Sequence, residues 1–409
     1  MSLQSWLVVS ALMSRAVSAF TGWKEDAACS WNPLAGLVEQ NFCEPDWNVM
    51  IQTTLQNETG EEHFVEPGWR GPHGCVKKYC LYSNPGFSNG KGMVAITTEA
   101  HLSTLKDLPS QPQYLDVLSL SHVDDVPGKG LGVIADRELK RGDAVMPRPP
   151  AFLAHRRFLE DLASSQEQQD LLEKAVTYLP RETKGLFLGQ MAHFGGHLIN
   201  DIFITNGFQV DLGGPDGHHY GNYPEVSRFN HDCRPNLAYY IDSNFVHRTT
   251  AVRKIVPGEE LTVAYLDPLQ PRIARQQRAH SAWGFVCECQ QCSLPGALVD
   301  KSDGRLWRIR VLEKRMENLK ADVTMGDVRE LLELYRNERL DAKLAGVLTL
   351  AAMNANLLGR ADDAREYALR AVEAGLIEKG DGVDVKSMRA LAENPKAHFT
   401  WRGRLKASK

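Results

Sequence analysis

The chain has 409 residues, more than one ordinary core holds, so two or three structural units are expected. A hydrophobic share of 43%, with 47 basic and 51 acidic residues, is that of a soluble globular protein and excludes large-scale disorder. A formal net charge of -4 excludes tight nucleic-acid binding through a global field, so no direct nucleic-acid partner is expected.

Residues 1–19 join an apolar run (Trp6 to Val9, Ala11 to Met13) to Val17-Ser18-Ala19, an A-x-A-like cleavage site. They read as a secretory signal peptide, although basic residues are missing from its start. The alternative is an N-terminal amphipathic or buried segment. No later stretch approaches the roughly 18 continuous apolar residues of a membrane span, so none is expected.

Residues 20–113 are rich in Gly, Pro, Asn and Trp, with short apolar runs such as Met93 to Ile96. They read as a loop-rich N-terminal unit. Cys29, Cys43, Cys75 and Cys80 lie here, and an even set downstream of a leader suggests two disulfides with three pairings open. Buried thiols are the alternative. Asn57-Glu58-Thr59 is an N-glycosylation sequon in the same segment.

Beyond Pro112 the pattern changes to short alternating runs bounded by glycine. Leu131 to Ala135 and Ala144 to Met146 read as strands flanking a turn at Lys140 to Asp143. A helix is expected over Arg156 to Tyr178, within a helical insertion of about 155–200. Strands resume at Phe208 to Leu212, Ala238 to Ile241, Thr249 to Val252 and Leu261 to Tyr265. The whole is a small β-domain with a helical insertion, an α+β arrangement.

Four separated elements in this region carry chemistry. In Pro127-Gly128-Lys129-Gly130-Leu131-Gly132, alternate glycines leave the backbone open to a ligand, though such a turn is commonly just a hairpin. Arg228-Phe229-Asn230-His231-Asp232-Cys233-Arg234-Pro235-Asn236 packs polar groups between apolar strands, which is costly unless partners satisfy them. Turn capping by Asn and His is its purely structural account. In Val256 to Tyr265, a Pro-Gly turn leads a strand ending in a tyrosine, whose hydroxyl can enter a cavity while its ring packs. The fourth element is Trp283-Gly284-Phe285-Val286-Cys287-Glu288-Cys289-Gln290-Gln291-Cys292. Thiolates at this spacing suit tetrahedral zinc with Cys233 as the fourth ligand, and such a site is structural because four thiolates leave no open position. Free buried thiols are the alternative.

From Pro295 the periodicity is helical. Leu306, Ile309, Leu312, Met316 and Leu319 form one face, and Val328, Leu331, Leu332 and Tyr335 another. Leu358 to Ala371 resembles one tetratricopeptide unit, so residues 300–395 read as a helical tail.

The set GxG, RFNHDCRPN, GEELTVAY and FxCxCxxC, in that order, resembles the SET-domain lysine methyltransferases, nearest to the SET-and-MYND group and its fungal relatives. The resemblance covers about Tyr114 to Cys292, and the tetratricopeptide-like tail agrees with it. No MYND finger follows the first SET segment, so that group's partner recognition does not carry over. The resemblance implies a SET domain over 114–285 with a pseudoknot, followed by a zinc segment over 286–297. It implies S-adenosylmethionine as cofactor, held by Lys129, Gly130, Leu131, Gly132, Asn230 and His231, with Phe285 stacked on its adenine. It further implies Tyr265 as the catalytic tyrosine and a protein lysine as substrate, in a channel for which Tyr220 and Tyr223 are the candidate lining. A helical tail offers a surface for a protein partner. The rival expectation is an inactive SET scaffold. The leader, sequon and scattered cysteines point to the secretory pathway, whereas a reduced cysteine cluster and a cytosolic cofactor point to cytoplasm or nucleus.

Overall fold

The computed structural model describes residues 68–109, 120–162 and 165–404. The expected leader, Cys29, Cys43, the Asn57 sequon and the start of the SET resemblance at Tyr114 lie outside them. In chain order the strands are β1 (Cys75–Val76), β2 (Tyr79–Asn84), β3 (Met93–Thr97), β4 (Ser121–Val126), β5 (Gly130–Ala135), β6 (Ala144–Arg148) and β7 (Phe152–His155). They continue as β8 (Phe208–Asp211), β9 (His218–Asn222), β10 (Asn230–His231), β11 (Leu237–Ile241), β12 (His247–Ala251) and β13 (Glu260–Val263).

These strands form three small sheets. The largest runs β1-β2-β3-β7-β9-β8, the second β10-β13-β5-β4 and the third β11-β12-β6. The expected strands at Leu131 and Ala144 both exist, but they flank their turn without pairing. β5 pairs with β4 and β13, whereas β6 pairs with β12. The compositional division near residue 113 is likewise no boundary of the large sheet. β3 is buried along its whole length and pairs in parallel with β7, so residues 75–97 supply three strands to it. Apolar residues on consecutive positions, Met93 to Ile96, are what a strand covered on both faces requires. Of the N-terminal cysteines, Cys75 and Cys80 form a disulfide across the β1–β2 hairpin.

The helical insertion lies between β7 and β8: α1 (Glu99–Lys106) precedes it, and α2 (Arg156–Asp161), α3 (Gln166–Thr177), α4 (Arg181–Leu188) and α5 (Leu198–Asn206) compose it. The single helix expected from Arg156 to Tyr178 is two. Ser165 caps the second by accepting from the Gln168 N–H, and a serine cap starts a helix rather than continuing one. The insertion's apolar face closes over the large sheet through Phe158, Leu172, Phe187 and Phe203.

After β13, α6 (Arg272–Trp283) leads to the cysteine segment. The tail is α7 (Gly296–Glu317), α8 (Met325–Asn337), α9 (Leu344–Leu357), α10 (Ala361–Glu378) and α11 (Val383–Glu393). Leu306, Ile309, Leu312, Met316, Val328, Leu331 and Tyr335, predicted as apolar stripes, all lie in its core, while Leu319 is exposed.

One buried ion pair locks this tail to the β-domain. Arg234, from the Asn-His-Asp-Cys motif, donates through Nη2 to Glu338 Oε2 at 2.6 Å, and through Nη1 to the Cys233 and Pro268 carbonyls. Glu338 also accepts from Arg305, Ser302 and Gln291, which brings motif, cysteine segment and α7 to one carboxylate. Such a charge tolerates full burial only because every lone pair finds a donor.

Candidate active site and cysteine cluster

The second sheet assembles the site. The glycine-rich element is the β4–β5 hairpin turn, closed by the Lys129 N–H donating to the Val126 carbonyl at 2.9 Å. It is therefore a hairpin, and it also faces the second motif. Asn230 Nδ2 donates to the Leu131 carbonyl at 3.2 Å and to Glu260 Oε1 at 3.0 Å, while Lys129 Nζ meets Glu260 Oε2 at 2.5 Å. Gly132 lies under this arrangement, and a Cβ there would stand 2.9 Å from Asn230 Nδ2 and 2.5 Å from Val126 Cγ2. The backbone cradle at Gly130 to Gly132, Asn230 and Glu260 thus forms one polar corner. Its open backbone and its amide and carboxylate groups fit the amino-acid and ribose-like polar groups of a nucleoside cofactor.

β10 runs parallel to β13, with Asn230 beside Thr262 and His231 beside Val263. This register sets Tyr265, two residues beyond β13, against the motif. Its hydroxyl donates to the Phe229 carbonyl at 2.6 Å, and its N–H donates to His231 Nδ1 at 3.1 Å. Burial pushes the Tyr265 phenol well above its ordinary range, so it stays protonated and keeps an oxygen lone pair free.

His231 is committed inside the protein. With Nδ1 accepting from Tyr265, its Nε2 carries the proton and faces Cys233 Sγ at 3.4 Å, which leaves the backbone as its means of reaching a ligand. The ring therefore couples the tyrosine to the cysteine cluster.

Two further rings reach Tyr265 because of one glycine. Gly284 ends α6 in the left-handed region at φ 74°, a conformation that favours glycine. The reversal lets Trp283 and Phe285 stand with ring centroids 5.3 and 6.4 Å from Tyr265. Phe285 is also 5.9 Å from the His231 ring. Trp283 is fixed by its indole N–H, which donates to the Thr205 carbonyl at the end of the insertion.

Of the two tyrosines expected to line a channel, neither is joined to Tyr265 by a ring contact. Tyr220 and Tyr223 are three residues apart, and near-extended chain sends such residues to opposite faces. Tyr220 packs with the Phe152 and Phe187 cluster, and burial raises its phenol to about 12. Tyr223 is fully buried with its hydroxyl donating to the Phe245 carbonyl at 2.7 Å. Tyr223 and Tyr239 both share the hydrophobic cluster of Tyr265, and Phe208 stands edge-on to both. Phe208, Tyr239 and Trp283 are thus site aromatics that the motifs did not reveal. Trp283 alone had a signal, its place two residues before Phe285.

The four expected cysteines converge. Cys233, Cys287, Cys289 and Cys292 are buried with their sulfurs within 4.8 Å of one another. Cys233 Sγ lies 4.0 Å from Cys287 Sγ and 3.6 Å from Cys292 Sγ. Hydrogen bonding to its three neighbours, with burial, holds the Cys233 thiol far above its ordinary range. Four sulfurs so arranged fit tetrahedral zinc, and the buried guanidinium of Arg275 beside Cys233 and Cys292 balances the negative charge of such a centre.

The family described as SET domain matches residues 130–266. Histone-lysine N-methyltransferase set5 of Schizosaccharomyces pombe is 26% identical over 287 residues, covering 67% of this chain and 83% of that protein. Histone-lysine N-methyltransferase SMYD3 of Mus musculus is 30% identical over 189 residues, 44% of this chain and 42% of that protein. N-lysine methyltransferase SMYD2 of Homo sapiens is 34% identical over 148 residues, 33% of each chain. The chain spans less than half the length of these two mammalian relatives. The glycine hairpin, the Asn230 motif and the Tyr265 strand all fall in or beside the matched segment, so the part of the chain that carries the site, residues 130–266, is similar to the SET domain.

Proposed function

We propose that the chain is an S-adenosylmethionine-dependent protein-lysine methyltransferase. The carrying observation is the Tyr265 phenol, anchored on the Phe229 carbonyl next to Asn230 and ringed by Trp283, Phe285 and His231, with Gly132 against the Asn230 amide. S-adenosylmethionine, when bound, supplies an electrophilic sulfonium methyl group.

The chain's own residues do the rest. The Gly130 to Gly132 backbone, Asn230 and the His231 main chain hold the cofactor's polar end, and Phe285 offers a ring for its base. A lysine side chain, whose ordinary pKa is about 10.4, is charged at neutral pH and does not attack. The aromatic wall excludes water and favours the neutral amine by desolvation. Its rings attract a cationic methyl group, as does the free lone pair of the Tyr265 oxygen. Alignment of amine and methyl supplies most of the rate.

The cysteine cluster holds structural zinc in this reading. The helical tail is a surface for a protein partner. The Cys75–Cys80 disulfide supports passage through an oxidising compartment, hence the secretory pathway.

The test is incubation of the purified chain with methyl-labelled S-adenosylmethionine and candidate lysine proteins, with mass spectrometry of the products. Methyl-lysine formed by the wild type and absent with Tyr265→Phe supports the proposal. Cofactor-induced thermal stabilisation with no transfer to any lysine supports the inactive scaffold.

A further inference from the structure

One end of the six-stranded sheet holds a polar cluster that methyl transfer does not use. His101 on α1, His155 at the end of β7 and His219 on β9 each bring one ring nitrogen to within 4.8 Å of the other two. All three are buried, His155 and His219 completely. Their ring centroids lie 4.7 to 5.5 Å apart. Three imidazoles inside a core carry a desolvation cost that hydrogen bonding has to offset. It does so incompletely here, because His155 Nε2 is buried with no hydrogen-bond partner.

The outer hydrogen bonds present ligand atoms. His219 Nδ1 meets the Gly217 carbonyl at 2.7 Å, and a carbonyl only accepts, so Nε2 holds the lone pair. The Thr97 hydroxyl donates to that nitrogen at 2.7 Å, a hydrogen bond that a bound metal ion replaces. His101 Nδ1 is paired with the Thr98 hydroxyl at 2.9 Å. An imidazole whose outer nitrogen is held in this way is the usual metal-ligating arrangement. His155 differs, since its Nδ1 accepts from the Arg157 N–H at 3.1 Å. Binding a cation exchanges that single helix-cap hydrogen bond for a metal–nitrogen bond. Burial holds His155 at about 4 and His219 at about 3, and neutral imidazole is the ligating form.

A carboxylate lies beside one of the three. Asp216, in the β8–β9 turn, places Oδ2 3.8 Å from His155 Nε2 and 3.9 Å from Lys78 Nζ, while Arg157 Nε lies 3.3 Å from Oδ1. Three imidazoles suit zinc with its fourth position open, whereas calcium and magnesium demand oxygen donors.

We propose that His101, His155 and His219 bind a divalent transition-metal ion of the zinc class. The ion pins α1, the end of β7 and the β8–β9 hairpin together, at a place separate from the cysteine cluster.

The test uses the untagged full chain, stripped by chelator and titrated with Zn2+ and, separately, Co2+, with metal counted by mass spectrometry. The expected result is a Co2+ spectrum in which one bound equivalent shows no thiolate charge-transfer band. That equivalent is lost in His155→Phe and His219→Phe and retained in Cys289→Ser. Where the buried variants do not fold, His101→Gln, checked for native circular dichroism, serves the same purpose. A wild-type chain that binds only thiolate-type Co2+, or folded histidine variants that keep the second equivalent, overturns the proposal.

Discussion

The Tyr265 hydroxyl donates to the carbonyl oxygen of Phe229 across 2.6 Å, which ties the aromatic end of one motif to the residue immediately before Asn230 in another. The two are 36 positions apart in sequence, and the bond fixes where the phenol oxygen points. Tyr265→Phe keeps the ring packing and removes the oxygen. Methyl transfer is expected to fall by about 100-fold or more, the size of losing one transition-state contact. Stability should fall by only about 1 kcal/mol for the lost hydrogen bond. Initial rates with labelled cofactor, read beside thermal melting, separate the two effects; near-wild-type rates contradict the assignment.

Gly132→Ala tests the cofactor corner. The new methyl would lie 2.5 Å from Val126 Cγ2, 2.9 Å from Asn230 Nδ2 and 3.1 Å from Glu260 Oε1. Val126 can turn, but Asn230 cannot stay on the Leu131 carbonyl. Overpacking of this kind costs about 1 to 3 kcal/mol of stability. Cofactor affinity is expected to weaken about tenfold, equal to about 1.4 kcal/mol. The dependence of melting temperature on S-adenosylmethionine concentration reads this directly, and unchanged dependence rejects it.

Removing metal from the cysteine cluster should loosen the segment carrying Trp283 and Phe285. Binding free energy at a structural zinc site is folding free energy, about 10 kcal/mol or more in small zinc domains. A chelator is therefore expected to lower the melting temperature and abolish transfer, with zinc restoring both. Cys289→Ser should show the lowered melting without chelator. Activity that survives complete metal removal speaks against a clamp at this position.

Glu338→Ala should be far more damaging than a surface change. It leaves the guanidinium of Arg234 buried with only carbonyl partners, and breaking one side of a buried pair costs about 3 to 5 kcal/mol. The midpoint of urea unfolding measures it. Combining the change with Arg234→Met should recover part of the loss, because the stranded charge is then gone as well. A single-mutant cost below about 1 kcal/mol excludes this carboxylate as the lock between tail and β-domain.

Glu378 at the end of α10 gives the tail a pH dependence. Burial raises its carboxyl from 4.5 to about 7, with the Ala345 N–H and Lys343 acting in the opposite direction. The folded chain therefore keeps a proton that the unfolded chain releases above pH 4.5. This contribution to stability is fully present below pH 4.5 and is lost as pH rises through about 7. Glu378→Gln should flatten that slope in unfolding measured across the window. An unaltered slope assigns the effect to another group.

The contiguous parts of the site were readable from sequence. Cys287, Cys289 and Cys292 carry their spacing on their face, and Asn230, Cys233 and Tyr265 stand in short runs whose polarity is costly without partners. The tail's apolar stripes and most strands followed from periodicity, which is a local property. What sequence left open was every relation between distant segments. The chain by itself did not say that β5 and β6 would enter different sheets, that residues 75–97 would extend the sheet of β7, or that Cys75 pairs with Cys80. Trp283 reaches its position through a hydrogen bond to a residue 78 positions earlier, and Glu338 gathers donors from three separate segments. Where Tyr220 packs was open for the same reason, since the face a strand residue presents depends on pairing register. Motif chemistry is written in neighbouring residues, but strand pairing, ring contacts and charge burial exist only between segments that folding brings together, and these decided which aromatics surround Tyr265.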